Sequence, residues 1–172
     1  MLERIEKAQF DNFYDLLCLS FPDSERRSYS GQLALFDEEP YNVYAYMDED
    51  EIVGALAVWE FENIVYLEHF AVNPNRRNGG IGTKLLCELK KISGKRMCLE
   101  VELPENDLAK RRISFYERNG FTNNDYSYMQ PPMGPGKKPI PLSVMTNDGG
   151  ISEDEFEEIR NTLYKYVYKT QI

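Results

Sequence analysis

Histidine and tryptophan are nearly absent from this 172-residue chain, with one of each, and cysteine occurs only three times. A single histidine, His69, is the only imidazole that could activate a nucleophile. No pair of candidate ligands has the close spacing that zinc requires, so no metal is expected. Cys18, Cys87 and Cys98 are odd in number, far apart and set among apolar neighbours, which predicts reduced packing residues. Long apolar runs are also missing. The longest, residues 52–59, is far short of a membrane span. The first 21 residues show no basic start followed by an apolar stretch, so a cytoplasmic protein without a leader or membrane contact is expected. Positive charge is in deficit, with 20 Lys and Arg against 29 Asp and Glu, a net charge of −9. That balance argues against nucleic acid as a partner, since phosphate binding needs local cation density. It suits a cationic substrate such as an amine, although solubility alone explains acidity equally well.

What is present reads as one globular domain over 1–172, with 42% hydrophobic and 28% charged residues. Phe13, Leu16, Leu17 and Phe21 recur at helical spacing until Phe21-Pro22 stops the run. A second helix is predicted over roughly 24–36, and a hairpin over 41–47 and 52–60, turned by Asp48-Glu49-Asp50-Glu51. Residues 64–72 are nearly all apolar, the pattern of a strand buried on both faces. A helix follows, with Leu85, Leu86, Leu89 and Ile92 as its apolar stripe, and then a strand at 97–103, which together make a βαβ unit. A helix at 107–119 is predicted to end at Gly120. Strands at 121–130 and 140–145 flank a Pro- and Gly-rich surface loop, 131–139. Ser152 and Glu155 form a capping box opening a C-terminal helix at about 152–168.

The most informative stretch is Arg76-Arg77-Asn78-Gly79-Gly80-Ile81-Gly82-Thr83, between a buried strand and a helix. Glycines let backbone approach a ligand without a Cβ clash, and the helix N-terminus offers free N–H groups to an anion such as phosphate. Two arginines add fixed charge. A dinucleotide fingerprint fails because its third glycine falls on Leu85. A P-loop fails because the order is Gly82-Thr83-Lys84. What fits is R/Q-x-x-G-x-G/A, as Arg77, Gly80 and Gly82 after Phe70-Ala71-Val72.

Here the chain resembles the GCN5-related N-acetyltransferase (GNAT) family, over roughly 41–121. Phe70-Ala71-Val72-Asn73-Pro74 is similar to that family's fourth strand and its exit. Phe115-Tyr116-Glu117-Arg118-Asn119-Gly120-Phe121 is similar to its fourth helix, which ends in a tyrosine-x-x-x-glycine-phenylalanine signature. The resemblance implies an α/β fold with a mixed, largely antiparallel sheet, a central splayed parallel strand pair and helices on both faces. It implies acetyl-CoA as cosubstrate, held by Phe70, Ala71 and Val72 and by Arg76, Arg77, Asn78, Gly79, Gly80, Ile81, Gly82 and Thr83. It also implies direct transfer of the acetyl group to an amine acceptor, with Tyr116 as general acid, and a homodimer. One family position differs: the asparagine seven residues before the tyrosine is Ala109 here, and Asn106 lies one helical turn too early.

An ammonium substrate must lose a proton before it attacks. Glu68 sits in an otherwise apolar strand, where burial is expected to raise its pKa and suit it as the base. By alternation His69 is expected to point to the opposite face, as a hydrogen-bonded structural residue. Glu102, with Glu100 on the same face of its strand, is the next candidate. Ion pairing with Arg111 or Arg112 is the alternative for these carboxylates. The charged stretch 23–27 reads as a solvated turn, and Tyr164, Tyr166 and Tyr168 as an interface or as helix packing. The rival to an enzyme is a non-catalytic acyl-CoA-binding regulatory module, which would keep the glycine loop and lose acid and base.

Overall fold

Four antiparallel strands, paired in sequence order, build the sheet of the N-terminal part: β1 (Leu2–Arg4), β2 (Tyr41–Asp48), β3 (Glu51–Glu60) and β4 (Ile64–Val72). The computed structural model describes residues 1–49 and 51–170, so Asp50 of the predicted turn lies outside it. The described chain divides into two compact units, Met1–Lys95 and Arg96–Ile172. β3 is buried from Ile52 to Trp59, which explains its unbroken apolar run, because both faces are covered. β1 has three residues, too few to carry a readable period.

Helix α1 (Phe10–Ser20) buries Phe10, Phe13, Leu16 and Leu17 and ends where Phe21 turns extended ahead of Pro22. The helix expected over 24–36 is broken into three pieces. These are a 3-10 turn at Asp23–Glu25, then α2 (Tyr29–Ala34), capped by the Ser28 hydroxyl on the Gly31 N–H, then a second 3-10 turn at Leu35–Asp37. The break lies at Arg26, whose φ of −137° and ψ of 157° are extended. Helix α3 (Ile81–Ser93) starts after Gly80 and stops at Gly94, both left-handed, and rests Leu85, Leu86 and Leu89 on the sheet. Ile92, expected in that stripe, lies in the last turn and is 51% exposed. The helix comes so close to β3 that a Cβ on Gly54 would stand 2.7 Å from the Leu85 Cδ1.

In the second unit β7 (Ile140–Asn147) lies between β5 (Arg96–Glu102) and β6 (Phe121–Gln130), antiparallel to both. Helix α4 (Asp107–Arg118) follows β5 and closes at Asn119 and Gly120, whose φ is +85°. Helix α5 (Glu153–Thr162) opens with the Ser152–Glu155 capping box and continues as a π-helical turn, Leu163–Val167. Tyr164 donates to the Met129 carbonyl (2.5 Å) and Tyr168 to Glu100 (2.7 Å), while Tyr166 is exposed. Of the cysteines only Cys98 is a packing residue. Cys18 and Cys87 lie on the exposed sides of α1 and α3, because each follows a buried leucine pair by one position. Among the described residues, no helix is long and apolar enough to cross a membrane.

Candidate acyl-donor and acceptor site

The glycine-rich junction is built by its backbone angles. β4 ends at Val72, and the Asn73 side chain closes the exit by accepting from the Asn75 N–H (3.0 Å) and donating to Glu51 (2.9 Å). A 3-10 turn, Pro74–Arg76, leads to an extended Arg77. Asn78 (φ +69°) and Gly80 (φ +73°) are then both left-handed, the conformation that turns the chain back into α3. The first intrahelical bond closes from the Lys84 N–H to the Gly80 carbonyl, so the amides of Ile81, Gly82 and Thr83 head the helix without intrahelical acceptors. A Cβ placed on Gly79 or Gly80 would meet no atom within 4 Å. Arg77 donates from Nε to the Val72 carbonyl (3.1 Å), which ties the turn to the strand end, and Arg76 pairs with Asp48.

Glu68 departs from expectation in three ways. The β3–β4 register passes from Ala57↔His69 to Val58↔Leu67, so Glu68 is the extra residue of a β-bulge. The bulge breaks the alternation, and His69 is therefore not turned away from Glu68: the imidazole Nδ1 lies 3.4 Å from the Glu68 Oε2. Second, the arginine that pairs with Glu68 is Arg27, whose Nη1 donates to Oε1 at 2.7 Å, joined there by the Trp59 indole N–H at 3.2 Å. Arg27 belongs to the stretch read as a solvated turn, yet its side chain is 11% exposed and that of Glu68 is 1% exposed. Third, the carboxyl is not raised. Burial alone pushes it up, but the Arg27 and His69 side chains outweigh burial and hold it at about 2, below the ordinary 4.5.

That lowered value fixes a sign. Between pH 4.5 and 2 the unfolded chain binds a proton at this position that the folded chain refuses, so folding stability rises with pH across that window. The contribution is on the order of 3 kcal/mol, present above pH 4.5 and lost as pH falls through 2. Glu68→Gln is expected to flatten the fall in stability over this window, read from denaturant titrations at stepped pH.

His69 is 3% exposed and its Nε2 lies 3.0 Å from the Glu25 carbonyl, an acceptor, so Nε2 carries a proton. Sequence reasoning missed Arg27 and Trp59 as members of this site. The signal available was the paired Arg26-Arg27 directly before a serine N-cap, although nothing in the pattern indicates a carboxylate 41 residues away.

In the second unit Tyr116 lies on the inner side of α4 with Ala109 and Ile113, its ring 5.7 Å from that of Phe121. Burial pushes its phenol well above the ordinary 10, against a smaller pull from Arg112, so the hydroxyl stays protonated. Asn106 is the N-cap of α4, accepting from the Ala109 N–H at 2.9 Å. Glu102 accepts from the Arg112 Nη1 at 2.7 Å and its side chain is 36% exposed. Glu100 accepts from Tyr128, from the Gln130 amide (2.6 Å) and from Tyr168.

The chain belongs to the GNAT family of acetyltransferases. A solved structure from Bacteroides thetaiotaomicron, assigned to that family as an acetyltransferase, is 33% identical and superposes with a TM-score of 0.91 over 99% of both chains. The family model described as "Acetyltransferase (GNAT) domain" matches residues 39–123. The Bacillus subtilis protein YjbC, also assigned as an acetyltransferase, is 33% identical over 112 residues, which are 64% of this chain and 56% of YjbC. An aminoglycoside 6'-N-acetyltransferase crystallised with coenzyme A shares the fold at 19% identity, with a TM-score of 0.63 over 86% of this chain and 96% of its own. The fold is thus of the expected class: α/β, with largely antiparallel strand pairing.

Proposed function

We propose that this chain transfers the acetyl group of acetyl-CoA directly to a primary amine of a small-molecule or peptide acceptor. The observation that carries the reading is the junction after β4. Two left-handed residues, Asn78 and Gly80, bring an open turn ahead of the Ile81, Gly82 and Thr83 amides, and two arginines precede it. Such amides at the positive end of a 13-residue helix suit a pyrophosphate. Phe70, Ala71 and Val72 would hold the arm of the cofactor, and Arg76 to Thr83 its phosphates. A bulge at Glu68, two residues before Phe70, bends the strand just upstream of the arm.

In this reading acetyl-CoA supplies an activated thioester when bound. The ammonium acceptor first gives a proton to a carboxylate or to water. Its nitrogen then bonds to the thioester carbon, the carbon–sulfur bond breaks, and the second proton passes from nitrogen to water, which restores the Tyr116 hydroxyl once that group has protonated the sulfur. Tyr116, kept protonated by burial, donates to the departing sulfur. Of the two expected carboxylates, Glu102 is the one an acceptor can reach, with its side chain 36% exposed beside Arg112. Glu68 is sealed in an ion pair with Arg27 and binds a proton too weakly to serve. The reading includes a cytoplasmic site of action, where three unpaired cysteines stay reduced.

The test is titration of the protein with acetyl-CoA by calorimetry, followed by a screen of primary amines with mass detection of the acetylated product. Micromolar binding and an acetylated amine are the expected results. Absence of binding would sink the reading, and binding without any acetylated amine would favour an acyl-CoA-responsive regulatory module.

A further inference from the structure

Residues 21–28 connect α1 to α2, and their only regular structure is one 3-10 turn, Asp23–Glu25. An exposed connector of this kind is ordinarily mobile. Contacts among the described residues hold this one along its length. The His69 Nε2 lies 3.0 Å from the Glu25 carbonyl, and the His69 ring meets the Phe21 ring edge-on at 4.8 Å. The Arg27 guanidinium reaches Glu68 at 2.7 Å. The Tyr14 hydroxyl donates to the Arg27 carbonyl at 3.2 Å, and Arg26 spans from Tyr14 to the Phe21 carbonyl. Pro22, Asp23 and Ser24 remain exposed on the held segment.

The bulge makes this possible. With regular alternation, Glu68 and His69 would face opposite sides of the sheet. The inserted residue turns both toward the connector, so one short length of β4 supplies a carboxylate for Arg27 and an imidazole N–H for Glu25. Apolar residues of like volume in place of a buried ion pair often cost no stability, so stability alone does not account for this one. What it does supply is geometry, since a carboxylate and a guanidinium accept few arrangements. Glu68 stands two residues from Phe70, about 7 Å along an extended strand.

We propose that Glu68 is a positioning residue for the amine acceptor: through Arg27 and His69 it clamps residues 21–28 into a fixed wall, with Pro22, Asp23 and Ser24 outermost, beside the strand that holds the acetyl donor. This role rests on the acetyl-transfer reading above. It differs from that of a base, because the carboxylate acts on the acceptor only through Arg27 and His69.

The test uses the full chain and the variants Glu68→Gln and Arg27→Gln, with the best amine from the screen. Each variant is expected to raise the KM for the amine at least tenfold and to leave the Kd for acetyl-CoA within twofold. The double variant should be no worse than the singles, since both cut one clamp. Hydrogen exchange gives a readout independent of turnover: amides of residues 21–28 should exchange at least tenfold faster in each variant, and those of α3 should not. Loss carried by kcat, with the ascending limb of the pH profile gone in Glu68→Gln alone, would make Glu68 the base and overturn the proposal. Unchanged exchange in residues 21–28, or an unchanged amine KM in an active variant, would overturn it too. A chain that acetylates no amine sinks the acetyl-transfer reading and this role with it; normal turnover with an unmoved amine KM sinks the role alone.

Discussion

Gly80→Leu is expected to weaken acetyl-CoA binding by about 100-fold or more, which is close to 3 kcal/mol. Gly80 has a φ of +73°, where a side chain costs roughly 1–2 kcal/mol, and leucine brings bulk to the turn ahead of the Ile81, Gly82 and Thr83 amides. A Cβ there strikes no atom within 4 Å, so the fold should survive and the loss should appear in the ligand. Gly94 provides the control. It caps the other end of α3, also left-handed (φ +61°) and also open to space. Gly94→Leu imposes similar backbone strain far from the amides and should keep its calorimetric affinity. Equal loss in both variants would mean that strain in α3, rather than the turn, governs binding.

Tyr116→Phe should lower kcat by about 100-fold with the Kd for acetyl-CoA unchanged, the size expected of a lost proton donor. Phenylalanine preserves the ring contacts with Phe115 and Phe121, so only the hydroxyl is removed. Because burial raises the phenol, wild-type turnover should show no descending limb attributable to Tyr116 up to pH 10. A variant that turns over normally would remove Tyr116 from the chemistry and leave the sulfur to be protonated by water.

The parts legible in the sequence are those decided within a few residues. A strand reading as one apolar run, glycines flanking a helix, and a Ser152–Glu155 capping box each depend on neighbours close in the chain, and β4, α3 and α5 follow. What escaped depends on partners far away. Alternation predicts the facing of His69 only while the register is regular, and the bulge at Glu68 is a property of β3 and β4 together. The pattern predicts a raised proton affinity for Glu68, and the structure lowers it for the same reason. Burial was visible in the pattern, whereas the guanidinium that outweighs it arrives from residue 27. The interrupted helix at 23–37 follows from that same pairing, since the chain is extended at Arg26, next to the arginine that reaches Glu68. Asn106 illustrates the limit of motif transfer: its side chain is occupied in capping α4.

The cage around Glu100 bears on the order in which the chain is made. Among the described residues, Tyr128 and Gln130 of β6 donate to Glu100, and so does Tyr168, 68 positions downstream and beyond the π-helical turn that ends the last helix. During synthesis β5 emerges first, and its carboxylate must wait in water while more than sixty further residues are added. This cage therefore closes on a translating ribosome only after Tyr168 has left the exit tunnel, whereas residues 1–95 have every strand of their own sheet long before.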